Sequence, residues 1–279
     1  MTKLRIGYNT CGFARTNDLT DVIETIHTLG YDGMELTLDR GHFHPYISKK
    51  SSLSHFADLL SARDLALVLN TGGRYALSDE AHEPSLVSNT AAKRKEFAQF
   101  VEDTIHIAPV LRAQVVMLHS GILSKEVEPE QAWEWLFDDV SYLSNIASDE
   151  GITLGFEFHP DMFIANLEDY WTLKHLVISP ALKLTLDVGH VVCTESRPVS
   201  QVISENKGEI ANVHLEDIKG RKHVHLPIGQ GDIDFVDIFE GLRAIEYTGL
   251  INIEFNTNDM EVDECQLARE TLFYLKQLM

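Results

Sequence analysis

Eight short apolar runs, each rich in β-branched residues and each followed by an amphipathic stretch, leave this chain few ways to fold. The runs lie at 4–9 (LRIGYN), 33–38 (GMELTL), 66–71 (ALVLNT), 114–119 (QVVMLH), 152–157 (ITLGFE), 182–187 (LKLTLD), 210–215 (IANVHL) and 250–255 (LINIEF). Their length and continuity predict strands buried on both faces. Apolar residues at i, i+3, i+4 and i+7 spacing predict helices between them, as at 19–30, 90–111, 130–149 and 260–278, about eight in all. Asp18 is expected to cap the first helix and Gly30 to close it. Pro129, between Glu128 and Glu130, suits the opening turn of another. The alternation carries no hairpin signal, so parallel strands with right-handed crossovers are expected. Eight such units in 279 residues predict an α/β chain forming a single (β/α)8 TIM barrel over 1–279. The competitor is an open doubly wound sheet, which gathers its chemistry at one switch point. Here polar residues end many strands. Segments 39–50 and 72–89 read as βα loops over the barrel mouth.

Charge narrows the partners. The chain has 23 Lys+Arg against 43 Asp+Glu, a net charge of −20, and no basic run. Such a field repels DNA, RNA and anionic lipid, so a small-molecule substrate is expected rather than nucleic acid or membrane. Cys11, Cys193 and Cys265 lie far apart and form no CxxC pair. With an N-terminus that lacks a signal-peptide core, they point to a reducing, cytoplasmic home. Cys193 reads as structural.

The chemistry collects at strand ends. GFEFHP ends the fifth strand with Glu157 and places His159 beyond it; LTLDVGH places Asp187 and His190; NVHLED supplies His214 and Asp217; INIEFN supplies Glu254. Parallel strands share one C-terminal face, so Glu157, Asp187, His214 and Glu254 are expected to converge from four adjacent strands. Three carboxylates buried together are costly without a cation. The set predicts one divalent cation, with Mn²⁺, Mg²⁺ and Co²⁺ favoured by the oxygen-rich donors and Zn²⁺ also suited.

A second group is expected from RKHVHLPIGQGDIDF, which carries His223 and His225 in one loop. On an extended segment both imidazoles share a face, and with His190 they would bind a second cation or hold substrate oxygens. His119, ending VMLHSG, has three readings: ligand, substrate contact, or hydrogen-bond partner of Glu157. His42 and His44 read as loop residues, and His27, His55, His106 and His175 as structural residues in helices. GQG at 229–231 lacks the following Lys-Ser/Thr of a P-loop.

Through Glu-x-His-Pro, LDVGH, VHLEDIKG, IGQGDIDF and the final IEF, the chain resembles the xylose isomerase-like TIM-barrel superfamily, in its sugar phosphate isomerase/epimerase group. The resemblance spans nearly all of the sequence. It implies a cation held by Glu157, Asp187, His214 and Glu254. The related ketose 3-epimerases imply that Glu157 and Glu254 are the acid/base pair. Endonuclease IV, of the same superfamily, binds more metals, and its extra ligands match His119, His190 and His225. The third strand, ending LNTGG, lacks that enzyme's histidine, and His223 replaces the Asp of its Asp-Arg-His motif. Arg221 is the loose counterpart of an epimerase arginine. The implied function is a metal-dependent isomerase or epimerase acting on a sugar or polyol-derived carbonyl compound through an enediolate. Two alternatives stay open: a multinuclear phosphoesterase, and a dehydratase of the inosose or dehydroshikimate type. A non-catalytic sugar-binding or metal-storing module is a third, and a homo-oligomer is compatible with all of them. A dehydratase would use His190 or His159 as its acid.

Overall fold

The computed structural model describes residues 3–16, 18–46, 50–255, 257 and 260–279. Eight parallel strands close into a barrel. In chain order they are β1 (Arg5–Asn9), β2 (Gly33–Thr37), β3 (Ala66–Asn70), β4 (Val115–His119), β5 (Thr153–Glu157), β6 (Leu182–Asp187), β7 (Ile210–Leu215) and, after two strands that lie outside the barrel, β10 (Leu250–Ile253), which pairs with β1. All eight expected runs are strands, each shifted by two residues or fewer at its ends. The closed order excludes the open doubly wound sheet.

Helices cover the outside: α1 (Leu19–Leu29), α2 (Lys50–Ala62), α3 (Ala91–Leu111), α4 (Pro129–Asp149), α5 (Leu167–Val177), α6 (Val188–Thr194), α7 (Val199–Glu205), α8 (Phe235–Ala244) and α9 (Glu264–Leu278). The α1 ends follow the expected chemistry. Asp18 accepts from Thr20 N, and Gly30 closes the helix in the left-handed region at φ 86°. Pro129 opens α4, and α9 starts at Glu264 rather than 260 because Asp263 caps it. The sixth unit carries two short helices, α6 and α7, where one was expected.

A second departure is a two-stranded antiparallel ribbon, β8 (Asp217–Lys219) with β9 (Lys222–Leu226). The segment was expected to be a plain loop. Its turn passes through Gly220 and Arg221, at φ 63° and 56°, the positive pair that two-residue hairpins favour. Residues 38–46 and 71–90 are irregular, as expected, and 47–49 of the first segment lie outside the described residues. Among the described residues, no helix is long and apolar enough to cross a membrane. Cys11, Cys193 and Cys265 are unpaired.

The strands are not apolar on both faces. Alternate residues point out and in. The outward set, including Ile6, Tyr8, Leu36, Leu69, Val116, Phe156, Leu186, Val213 and Ile253, joins the helices in the main core. The inward set is apolar only low in the barrel, where Val68, Met117 and Leu250 form a small separate cluster. Above it the interior is polar: Asn9, Glu35, Asn70, Asn212, His214 and Asn252 are all buried there. Gly7 is needed at this level, since a Cβ on it would stand 2.1 Å from Asn252 Oδ1.

Candidate active site

Glu157 and Asp187 are the last residues of β5 and β6, His214 is next to last in β7, and Glu254 directly follows β10. Each stands at an inward position. One ligand atom from each of the four lies within 4.8 Å of all the others. The convergence expected from the strand ends is therefore present.

His214 is the centre of the group. Its Nδ1 lies 2.7 Å from Glu157 Oε1 and 2.6 Å from Glu254 Oε2. Burial disfavours charge on this imidazole, but Glu254, Glu35 and Glu157 overrule it and hold its pKa well above 6.5. Burial also pushes Glu157 up to about 8; His214 opposes that rise, and Glu254 and Asp187 add to it. Asp187 Oδ1 accepts the His190 backbone N–H at 2.7 Å and so caps α6. Its Oδ2 is buried without a hydrogen-bond partner. A buried carboxylate oxygen with no donor is costly unless a cation faces it. One imidazole, three carboxylates and an unmatched oxygen fit a divalent cation.

Beneath His214 sits a residue the sequence reading did not single out. Glu35, on β2, is fully buried. Its Oε1 accepts from Asn9 Nδ2 at 3.1 Å and Asn70 Nδ2 at 2.5 Å. Its Oε2 accepts from Asn212 Nδ2 at 2.8 Å and Asn252 Nδ2 at 3.0 Å. Both oxygens lie 2.9 Å from His214 Nε2. An acceptor this crowded with donors makes His214 Nε2 a donor too, which leaves Nδ1 to face the quartet. Asn9 Nδ2 also reaches Glu254 Oε1 at 3.1 Å, tying the two carboxylates together. The only sequence signal for Glu35 was a charged residue at an inward position of GMELTL.

Beside the quartet runs an arc of imidazoles. His159 lies 4.6 Å, centroid to centroid, from both His190 and His223, and His223 lies 4.8 Å from His225. The shared face expected for His223 and His225 is thus present, on β9 rather than on a loop. His82, from the 71–90 loop, extends the arc to His119 at 5.8 Å. His82 carried no signal, because a loop's path is not written in its local pattern. Burial, then neighbouring imidazoles, lowers the pKa of His159 and of His190.

Three expectations are corrected or closed. His119 is not a partner of Glu157: neither of its ring nitrogens has a hydrogen-bond partner. The ring instead stacks on Phe97 of α3, 6.4 Å away, and burial pulls its pKa down to about 3. Arg221 turns away from the quartet, donating to the carbonyls of Cys193 and Glu195. The backbone N–H groups of Gly229 and Gly231 donate to Asp217 Oδ2, both at 2.8 Å, so this turn is built around a carboxylate. His42 and His44 bond loop carbonyls, and burial pushes the Cys193 thiol up to about 11.

The sequence profile of the xylose isomerase-like TIM barrel matches residues 23–278. The chain belongs to that family. It is 29% identical over 266 residues to an uncharacterized protein of Methanocaldococcus jannaschii, covering 91% of this chain and 85% of that one. It is 23% identical over 165 residues to the inosose dehydratase of Clostridium beijerinckii, and spans 55% of that enzyme's length. Among solved structures, a D-tagatose 3-epimerase-like protein superposes with a TM-score of 0.77 at 23% identity, covering 99% of this chain and 98% of that one. An IolI protein with a bound zinc atom superposes at 0.77 and 18% identity, with 98% of each chain covered. At these identities the two structures show a shared fold.

Proposed function

We propose that this barrel is a divalent-cation-dependent isomerase or epimerase acting on a sugar or polyol-derived carbonyl compound. The observation that carries the reading is the meeting of Glu157 and Glu254, from different strands, at His214 Nδ1, 2.7 and 2.6 Å away, in one group with Asp187, whose Oδ2 is unmatched. Family membership and the sugar and polyol enzymes among the relatives support it. Glu157, Asp187, His214 and Glu254 would hold the cation, whose Lewis acidity toward a carbonyl and its neighbouring hydroxyl makes the intervening C–H more acidic. Each glutamate has two oxygens, so one can serve as ligand while the other handles a proton. Glu157 would take the proton from one face of the substrate carbon, leaving an enediolate. Glu254 would return a proton to the other face. Glu35 keeps His214 fixed throughout. The partial match to inosose dehydratase supports a second reading. There the same proton abstraction is followed by loss of a β-hydroxyl as water, which carries off the abstracted proton; the lowered pKa values of His159 and His190 leave both rings neutral, so neither is a ready acid for this step.

The test is proton exchange. Cation-loaded protein, incubated in D₂O with ketoses, ketose phosphates and inositol ketones, is expected to place deuterium beside the carbonyl of its substrate. NMR reads the position. No wash-in from any of them at full cation occupancy sinks the proposal, and wash-in with loss of water selects the dehydratase.

Cation and proton should compete for the quartet. Below about pH 8 Glu157 retains a proton in cation-free protein, and His214 is charged. Both folded pKa values exceed the unfolded ones, 4.5 for Glu157 and 6.5 for His214. The folded state thus binds more protons, and the stability these groups contribute is lost as pH rises. Below about pH 6.5 the buried neutral His119, His159 and His190 act the other way, so the melting temperature of chelated protein is expected to fall only between about pH 7 and 8, and Mn²⁺ or Co²⁺ to restore more of it at pH 8 than at pH 7. Scanning calorimetry at both pH values checks this; a cation effect that shrinks as pH rises contradicts it.

A further inference from the structure

Glu157 and Glu254 are held in the barrel by different means. Glu157 lies inside β5 and pairs in register with His119 of β4 and Thr185 of β6. Glu254 lies one residue past β10, whose register with β1 and β7 ends at Ile253. A glutamate carboxylate turns easily about its last side-chain torsion, where the wells are broad. Past the paired end of a strand, something other than the sheet has to aim it.

Asn9, the last residue of β1, is in place to do so, and it is fully buried. Its NH₂ has two hydrogens, and two carboxylates take them: Glu35 Oε1 and Glu254 Oε1, each at 3.1 Å. Its Oδ1 has two lone pairs, and both are used: Thr37 Oγ1 donates at 2.7 Å and the Cys11 backbone N–H at 2.9 Å. The Thr37 hydroxyl, having given its hydrogen to Asn9, accepts from Cys11 Sγ at 3.3 Å. Reversing the amide would turn Oδ1 toward two carboxylates and the NH₂ toward the Cys11 N–H. All four hydrogen-bonding positions therefore lock it in one orientation. With Oε1 held by this amide, Oε2 is the Glu254 oxygen that faces His214 Nδ1, 2.6 Å away. Among the described residues, the Glu157 side chain hydrogen-bonds His214 alone.

We propose that Asn9 is a positioning residue for Glu254: its amide holds Oε1 from behind, so that Oε2 is presented to His214 and to the cation. The inference rests on the reading of Glu254 as cation ligand and proton carrier. It gives Asn9 a role that Glu35 does not need, since Glu35 keeps Asn70, Asn212, Asn252 and His214 without it.

A double-mutant cycle read on cation binding tests this without a substrate. Zn²⁺ is titrated calorimetrically into chelated protein; it binds such donors more tightly than Mn²⁺, which keeps weakened variants measurable. Asn9→Ala is expected to lose about 10- to 100-fold in affinity, as when the outer partner of a metal ligand is altered. Glu254→Ala loses the ligand itself. Adding Asn9→Ala to Glu254→Ala is expected to change affinity by less than about twofold, because both act through one carboxylate. Native affinity in Asn9→Ala overturns the proposal. So does full additivity, which would place the effect of Asn9 in the buried layer around Glu35. Thr37→Val removes one bond that orients the amide and leaves both carboxylates in place. It should show a smaller loss that also disappears in Glu254→Ala, and it carries the same cycle if circular dichroism shows Asn9→Ala unfolded. Deuterium wash-in at full cation occupancy separates aiming from general loosening. Asn9→Ala should slow one epimer at least about 10-fold more than the other, and it should be the epimer whose exchange is lost in Glu254→Gln. Equal slowing of both epimers contradicts the proposal. The two readings fail differently. Zn²⁺ bound as tightly by Glu254→Ala as by native protein removes Glu254 from the cation set. Weakened binding in Glu254→Ala with native binding in Asn9→Ala keeps Glu254 there and removes the role of Asn9.

Discussion

Glu157→Gln and Glu254→Gln should each lose at least about 10²-fold in turnover, the low end for removing a general acid or base. Glutamine keeps a coordinating oxygen and nearly the same volume but gives up the charge and the basic lone pair. Both residues also belong to the proposed cation set, so weaker cation binding would mimic the loss, and rates must be compared at measured, equal occupancy. The two glutamates approach His214 Nδ1 from different strands, β5 and the end of β10, 2.7 and 2.6 Å away. If each serves one face of the substrate carbon, each variant retains exchange of the epimer whose C–H faces its surviving glutamate. Deuterium wash-in then persists for opposite epimers in the two variants while interconversion stops in both. Native epimerisation by both variants at full occupancy rules out the paired-glutamate mechanism and moves a hydrolytic reading forward.

Glu35 should prove the most sensitive polar position in the barrel. Replacement by Leu removes the acceptor of four asparagine amides and of His214 Nε2 in a fully buried layer. Each stranded buried donor costs about 1–3 kcal/mol, and breaking a buried charged pair from one side costs about 3–5 kcal/mol. Against a typical total stability of about 5–15 kcal/mol, Glu35→Leu is expected to lose most of its folded population. Glu35→Gln is milder, since one oxygen still accepts while the new NH₂ faces donors. It should fold, with cation affinity reduced about 10- to 100-fold, as happens when the outer partner of a metal-ligating histidine is altered. Urea unfolding and calorimetric cation titration separate the two effects. A folded Glu35→Gln that binds the cation as tightly as native protein would show that Glu35 supports the core and has no hold on His214.

Local pattern settles a good deal in this chain. Short continuous apolar runs and 3.6-residue periodicity are carried by neighbours in sequence, so strands, helices and their end signals at Asp18, Gly30 and Pro129 are readable without knowing the fold. Parallel strands bring all C-terminal ends to one face, so the meeting of Glu157, Asp187, His214 and Glu254 also follows from the pattern. The inward polar layer does not. Glu35 looks like one charge in an apolar strand, and four asparagines at the ends or middles of other strands look like ordinary polar punctuation. They meet at one level only because barrel closure staggers the strands by a fixed amount, and that stagger is a property of all eight strands together. The same holds for Glu216 and Asp217, adjacent in LED. Asp217 turns to the amides of Gly229 and Gly231, and Glu216 turns to His225. His82 reaches His119 from a loop that a whole helix, α3, separates from it in sequence, and Arg221 is carried away by a hairpin turn. Periodicity is a short-range property of the chain, whereas an unmatched lone pair or a five-donor carboxylate is a long-range coincidence that packing alone creates.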